Sequence, residues 1–226
     1  MCGRFALRSS TADAAGRLLG LPPLPEWATS RYNIPPGTEI PLIRADAEGS
    51  PEWSLADWGF RPRWAQPDAP KPINARAETV ATSKYFRDAF AHRRCLVPAD
   101  GWYEWQASDG HKQPWFIAPG EQESAGVLFL AGIWEPSAED AICCAIVTEP
   151  ARPPLDRIHH RQPLALDPGC LKEWLSPELV DRDGIRSAVR RWPTDRLVAH
   201  PVSTDVNRPE NDREDLLKPI GNGSEA

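Results

Sequence analysis

Arg93-Arg94-Cys95-Leu96-Val97-Pro98-Ala99-Asp100-Gly101-Trp102-Tyr103-Glu104-Trp105 sets the architecture. Residues 94–98 form a short apolar run of strand length, and it ends at a turn, Ala99-Asp100-Gly101. Trp102 to Trp105 is a second strand. Side chains alternate along a strand, so Trp102 and Glu104 share one face while Tyr103 and Trp105 share the other. Working outward, further strands are expected at 40–43, 53–60, 114–118, 127–134, 141–148 and 197–203. Helices are expected at 10–20, with Ser10 or Thr11 as cap, Asp13 in the first turn and Gly20 as stop. Others are expected at 83–93, with Tyr85, Phe86, Ala89 and Phe90 on the apolar face, and at 168–175, 183–191 and 211–217. Pro22, Pro23 and Pro25 force an extended loop, and residues 31–37 make a turn-rich approach to the strand at Ile40. Many strands with scattered helices and no βαβ alternation give an α+β fold with mostly antiparallel pairing.

The chain has 226 residues, enough for one large domain over residues 1–220, followed by a loose tail at 221–226. Its 25 Pro are dispersed, which suits a loop-rich globular fold and not a linker. No run is long and apolar enough to span a membrane, and no signal peptide pattern opens the chain. Cys2, Cys95, Cys143, Cys144 and Cys170 are odd in number and lack zinc or disulfide spacing, so a reducing, cytoplasmic setting is expected. A net charge of −6 argues against long non-specific coating of nucleic acid. The first half, however, is nearly neutral and its cations are almost all Arg, which suits a short, focused phosphate contact.

Four places carry candidate chemistry. Cys2 follows Met1, and initiator Met is commonly trimmed before small residues. Trimming would put an α-amine and a thiol on adjacent carbons, a pair that condenses with an aldehyde and closes a five-membered thiazolidine. The alternative is a small buried residue at a strand start. Asn74-Ala75-Arg76-Ala77-Glu78 places an amide and a guanidinium on one face of an extended segment, unless Arg76 and Glu78 form a solvated loop ion pair. Glu104 among aromatics has a raised pKa suited to proton transfer, unless it sits at a strand rim facing water. His159 and His160 offer a neutral-pH acid/base, with one ring facing a given pocket if the segment is extended, or else a surface loop. No metal or other cofactor is expected. Among the tryptophans, loop-borne Trp64 is the candidate for stacking on a nucleic-acid base.

Taken in order, Met-Cys-Gly-Arg-Phe at 1–5, Arg-Tyr-Asn-Ile-Pro-Pro-Gly at 31–37 and Ile-Asn-Ala-Arg-Ala-Glu-Thr at 73–79 resemble the SOS response-associated peptidase (SRAP) family. So do residues 93–105, Ala-Gly-Ile-Trp-Glu at 131–135 and Val-Ser-Thr-Asp-Val-Asn at 202–207. The resemblance implies a single α+β domain of curved, mostly antiparallel, barrel-like sheets with peripheral helices. It also implies a sensor of abasic sites in single-stranded DNA that crosslinks through the N-terminal Cys. Carried over by motif, Cys2 is the nucleophile, Asn74 the orienting amide, Glu104 the acid/base carboxylate and His159 the histidine. Arg4, Trp64, Arg76, Thr148 and Arg161 are the implied DNA-binding set. The family's His-Asp-Arg-Met-Pro reads His159-His160-Arg161-Gln162-Pro163 here, which changes the surroundings of the histidine. The partner implied is abasic single-stranded DNA, with no membrane, a monomer as the default state and a cytoplasmic, nucleoid-associated location in a bacterium. Other readings are a cysteine peptidase using Cys2, strand cleavage through a Schiff base, and a passive single-strand binder.

Overall fold

The computed structural model describes residues 2–22, 29–108, 110–120, 123, 126–137 and 141–221. Met1, Pro23, Pro25 and the tail beyond Gly221 lie outside the described residues. In chain order the elements are β1 (Phe5–Leu7), α1 (Ser9–Leu19), β2 (Arg31–Ile34), β3 (Glu39–Ala45), β4 (Pro51–Trp58), β5 (Asn74–Arg76) and α2 (Arg87–His92). They continue with β6 (Arg94–Ala99), β7 (Gly101–Ser108), β8 (His111–Pro119), β9 (Leu128–Pro136), β10 (Ile142–Pro150), β11 (Arg161–Pro163) and β12 (Ala165–Leu166). The last are α3 (Leu171–Leu175), α4 (Arg182–Ala188) and β13 (Leu197–Pro201). The α+β expectation holds, and antiparallel pairing dominates. Single turns of 3-10 helix replace parts of the expected late helices, at Pro168–Cys170 and Glu214–Leu217.

Two sheets carry the fold. One is five-stranded and wholly antiparallel, in the order β13-β8-β7-β1-β2. The other is built on the path β11-β10-β4-β3-β6-β9-β12, and a further β9–β10 pairing closes β10, β4, β3, β6 and β9 into a ring. This ring is not a clean barrel. Its β4–β10 seam is parallel and only two residue pairs long, Cys143↔Asp57 and Cys144↔Trp58. Beyond it β5 takes the same edge of β10, also parallel, from Ile146↔Asn74 to Thr148↔Arg76. β2, β5, β11 and β12 are strands of two to four residues, too short to show a period in the sequence.

The turn at Asp100 does not close a hairpin. β6 belongs to the ring, whereas β7 pairs with β1 and β8 in the other sheet. The run 95–99 is buried throughout because β6 is covered on both faces. Cys95, Val97 and Ala99 pack with Phe5, Trp58 and Trp102, while Leu96 packs with Trp174 and Phe129. Asp100 is itself buried, and its carboxylate accepts from the Arg8 backbone N–H (2.5 Å), Arg8 Nε (2.7 Å) and the Thr11 hydroxyl (2.7 Å). Its own N–H donates to the Ala6 carbonyl at 2.8 Å. At Gly101 the neighbouring strand β8 comes so close that a Cβ would stand 2.4 Å from the Ile117 carbonyl oxygen. α1 therefore begins with Arg8 at its N-cap, without a side-chain cap, and Thr11 serves Asp100 instead of the helix end. Gly20 ends α1 in the left-handed conformation, φ 70°, as expected of a helix stop.

Arg94 is buried at the start of β6 and has no ion pair among the described residues. Its guanidinium donates to the carbonyls of Phe90, Ala91, Trp174, Ser176 and Leu179, which end α2 and α3 and the turn after them. Burial lowers its pKa to about 10, so it remains charged and satisfies carbonyls that those helix ends leave over. Replacing Asp100 by Ala strands three donors at the sheet crossing. The expected result is a loss of about 3 kcal/mol of stability, read as a lower urea midpoint with an unchanged slope.

Candidate functional site

Cys2 lies just before β1 and is fully buried. Its carbonyl accepts a 2.8 Å hydrogen bond from Asn74 Nδ2, so the start of one sheet is held by the first residue of β5 in the other. Asn74 Oδ1 is buried and has no hydrogen-bond partner among the described residues. Burial, and after it the charge of Glu104, push the Cys2 thiol well above its ordinary value. The thiol is thus kept protonated, as a thiol in an apolar pocket should be.

Glu104 stands on β7 opposite Trp115 of β8, on the face it shares with Trp102. It is 2% exposed, and burial raises its carboxyl pKa to about 7. Its Oε2 is 3.7 Å from His159 Nδ1. That ring nitrogen also takes the Arg161 backbone N–H at 2.8 Å and stands farther, at 3.2 Å, from the Arg161 carbonyl oxygen. The closer partner is an N–H, which can only donate, so Nδ1 is assigned as the acceptor and the ring proton to Nε2. Burial lowers the His159 pKa, and at neutral pH the imidazole is uncharged. Glu104 and His159 are therefore neighbours whose 3.7 Å contact becomes an ion pair only if the ring takes up a proton.

The two histidines do not point to opposite sides. A 3-10 turn at Leu155–Arg157 precedes them, and their rings lie tilted against each other with centroids 4.3 Å apart and planes 38° apart. The Arg76–Glu78 pair does not form either. Glu78 is taken by Arg161, and Arg76 is exposed with no ion pair among the described residues, on the face of β5 that carries Asn74.

Of the remaining residues of the implied DNA-binding set, Thr148 and Arg161 lie together beside Arg76, while Trp64 and Arg4 belong to other elements. Trp64 is 58% exposed, edge-on to Tyr85 at 5.8 Å with Lys84 Nζ 5.3 Å over its ring. Thr148 is buried on β10 in register with Arg76. Arg161 is 8% exposed and held internally by Glu78 and Thr148. Arg4 is buried too, its Nη1 donating to Asn33 Oδ1 (2.7 Å) and the Val206 carbonyl (2.9 Å). Glu78 is two positions from Arg76 in the Asn-Ala-Arg-Ala-Glu run, yet it pairs with Arg161 from β11. No group of three His, Cys, Asp or Glu side chains that could hold a metal occurs among the described residues.

A neutral buried thiol, a carboxyl poised near neutrality, an uncharged imidazole and an amide oxygen meet where the two sheets touch. A papain-type pair needs the reverse, a thiolate beside an imidazolium. The set suits stepwise proton transfers around a nucleophile near the chain start. This chain belongs to the SOS response associated peptidase (SRAP) family, whose model matches residues 1–209. It is 34% identical over 229 residues to the abasic site processing protein YedK of Escherichia coli strain K12, covering 97% of this chain and 100% of that one. It is also 34% identical over 266 residues to the abasic site processing protein HMCES of Gallus gallus, covering 97% of this chain and 78% of that one. Among solved structures, a Bacteroides thetaiotaomicron protein superposes with a TM-score of 0.81 at 20% identity, covering 97% of this chain and all of its own. A phage-related protein of Bordetella bronchiseptica gives 0.73 at 31% identity, over 89% of this chain and 94% of that chain.

A carboxyl whose pKa is higher in the folded than in the unfolded protein stabilises the fold only while it is protonated. Stability is then lost as pH rises from the unfolded value near 4.5 through the folded value of about 7. Glu104→Gln should match the parent in stability below pH 4 and exceed it by about 3 kcal/mol at pH 8. Denaturant titrations at the two pH values test this, and equal differences at both would refute it.

Proposed function

We propose that this protein processes abasic sites in DNA by capturing the ring-opened sugar aldehyde on Cys2, in single-stranded DNA. The observation that carries the proposal is the placement of Cys2. It is buried, its carbonyl is held by Asn74, and it lies beside a carboxyl with a pKa of about 7. The names of the relatives point to the same substrate.

Removal of Met1 gives Cys2 a free α-amine, which the open acceptor Asn74 Oδ1 is placed to orient. Protonated Glu104 donates to the sugar ring oxygen as the ring opens to the aldehyde. The amine adds to the aldehyde carbon, and water leaves as the Schiff base forms. His159 and Glu104 carry the protons of these steps. The Cys2 sulfur then adds to the same carbon, its proton passing to the former imine nitrogen, and the thiazolidine is closed. One water is lost overall. Exposed Arg76, on the same strand face as Asn74, takes a backbone phosphate, and Trp64 offers a stacking face. Thr148 and Arg161 form the wall behind the site, and Arg4 anchors β1 from its other side.

Intact mass after mixing with a uracil-containing single strand treated with uracil glycosylase tests the proposal. The free protein should lack Met1. The product should be a one-to-one, denaturation-resistant adduct lighter than its parts by one water, and Cys2→Ala should abolish it. An adduct that survives Cys2→Ala, or none from folded Met1-free protein, would overturn the proposal.

A further inference from the structure

Glu78 lies two residues beyond β5 and grips Arg161 with both carboxylate oxygens, Oε1 on Nη1 and Oε2 on Nη2, the latter at 3.0 Å. Nη2 donates as well to the Thr148 carbonyl at 2.8 Å, and it stands 3.3 Å from the Thr148 hydroxyl. The backbone N–H of Arg161 is the group that donates to His159 Nδ1, at 2.8 Å. Arg161 is thus fastened at its head to β5 and β10 and at its backbone to the imidazole.

We infer that Glu78 is a positioning residue for His159: by fixing Arg161 it holds the Arg161 N–H on Nδ1 and keeps the ring proton on Nε2. The inference rests on the aldehyde-capture reading for its kinetic consequence, though not for its structural one. A guanidinium in a two-pronged carboxylate grip is fixed in plane and direction, which a single contact does not achieve. Asn74 and Glu78 are four residues apart on one segment, so the amide that holds Cys2 and the carboxylate that fixes Arg161 move as one unit.

The groups facing His159 among the described residues are Glu104 from β7, His160 with its ring 4.3 Å away, and Arg161. With Nδ1 occupied by an N–H donor, the ring cannot give a proton from Nδ1 to Glu104 Oε2, 3.7 Å away. If Arg161 is released, Nδ1 becomes free to carry a proton, and the two side chains collapse into an imidazolium–carboxylate pair. That pair would raise the His159 pKa and lower that of Glu104, leaving no neutral carboxyl to open the sugar. Glu78 therefore keeps the acid and the imidazole apart in charge while they remain adjacent in space.

The test begins without DNA, on Met1-free protein with 15N-labelled histidine. The parent should show His159 as the Nε2–H tautomer, titrating below free imidazole. Glu78→Ala should shift the population toward Nδ1–H and imidazolium and raise the His159 midpoint by about one pH unit. Glu78→Gln, which keeps an acceptor for Arg161, should restore most of the parent signature. Arg161→Lys, which loses the fork, should mimic Glu78→Ala, and the double variant should be no worse than either single one. In the adduct assay Glu78→Ala should slow capture about tenfold, with the fast limb of the pH profile moved to lower pH. Glu78→Ala leaves the buried Arg161 guanidinium to Thr148 alone, so it should fold with a lowered denaturation midpoint; if it does not fold, Arg161→Lys carries the same test. An unchanged His159 tautomer and midpoint in the folded variants would overturn the inference whatever happens to the rate. Failure of the parent to form any adduct would instead sink the aldehyde-capture reading and leave the tautomer result standing.

Discussion

The chain leaves one sheet for the other at Asp100, and that crossing governs what lies above it. A buried carboxylate there gathers the N–H and guanidinium of Arg8 and the hydroxyl of Thr11, tying β1 and α1 to the end of β6. Gly101 lets the backbones meet where any Cβ would strike the Ile117 carbonyl. With β1 and β7 pinned in register, Phe5 opposite Trp102, Cys2 and Glu104 are both drawn into the buried interior on neighbouring strand ends. Burying an ionisable group is costly unless it is paired or neutral. Asp100 is paired, and Glu104 shifts toward the neutral form. The same physical penalty thus gives a structural fastening at one position and a carboxyl held near neutrality at another, four residues along.

The site is a seam. The five-stranded sheet contributes Cys2 and Glu104, and the larger sheet contributes Asn74, Thr148 and the segment that carries His159. β10 organises the second half. It pairs with β9 and β11 on one side of its course, and with β4 and then β5 on the other. The exchange of β4 for β5 between Cys144 and Ile146 lets a three-residue strand that pairs with β10 alone present Asn74 to the neighbouring sheet. A regular barrel would have continued β4 and closed that edge.

The strands at 53–60, 114–118, 127–134 and 141–148 were legible because each is long enough to show its pattern. The alternation of Trp102 and Glu104 against Tyr103 and Trp105 was legible for the same reason, and the first pair lies in the core between the sheets while the second packs on the outer cluster. Strands of two to four residues were not legible, since no period can be counted in them. Nor was the partner of Glu78: Arg76 is two residues away in sequence, yet Arg161 is the one within reach. The two histidines show the limit of a local rule. Opposite orientation holds for extended chain, and a 3-10 turn brought the rings together.

By itself the sequence determined the α+β class, the antiparallel bias and the residue types available for chemistry, since composition, alternation and turn residues act over a few neighbours. It also placed Cys2, Asn74, Glu104 and His159 as candidates, through motif blocks that any reader of the chain can quote. Only the tertiary structure decided which of them meet, which guanidiniums are buried and engaged, and which protonation states the pocket imposes. Those outcomes depend on contacts between residues tens of positions apart, and on desolvation, which no local stretch of sequence records.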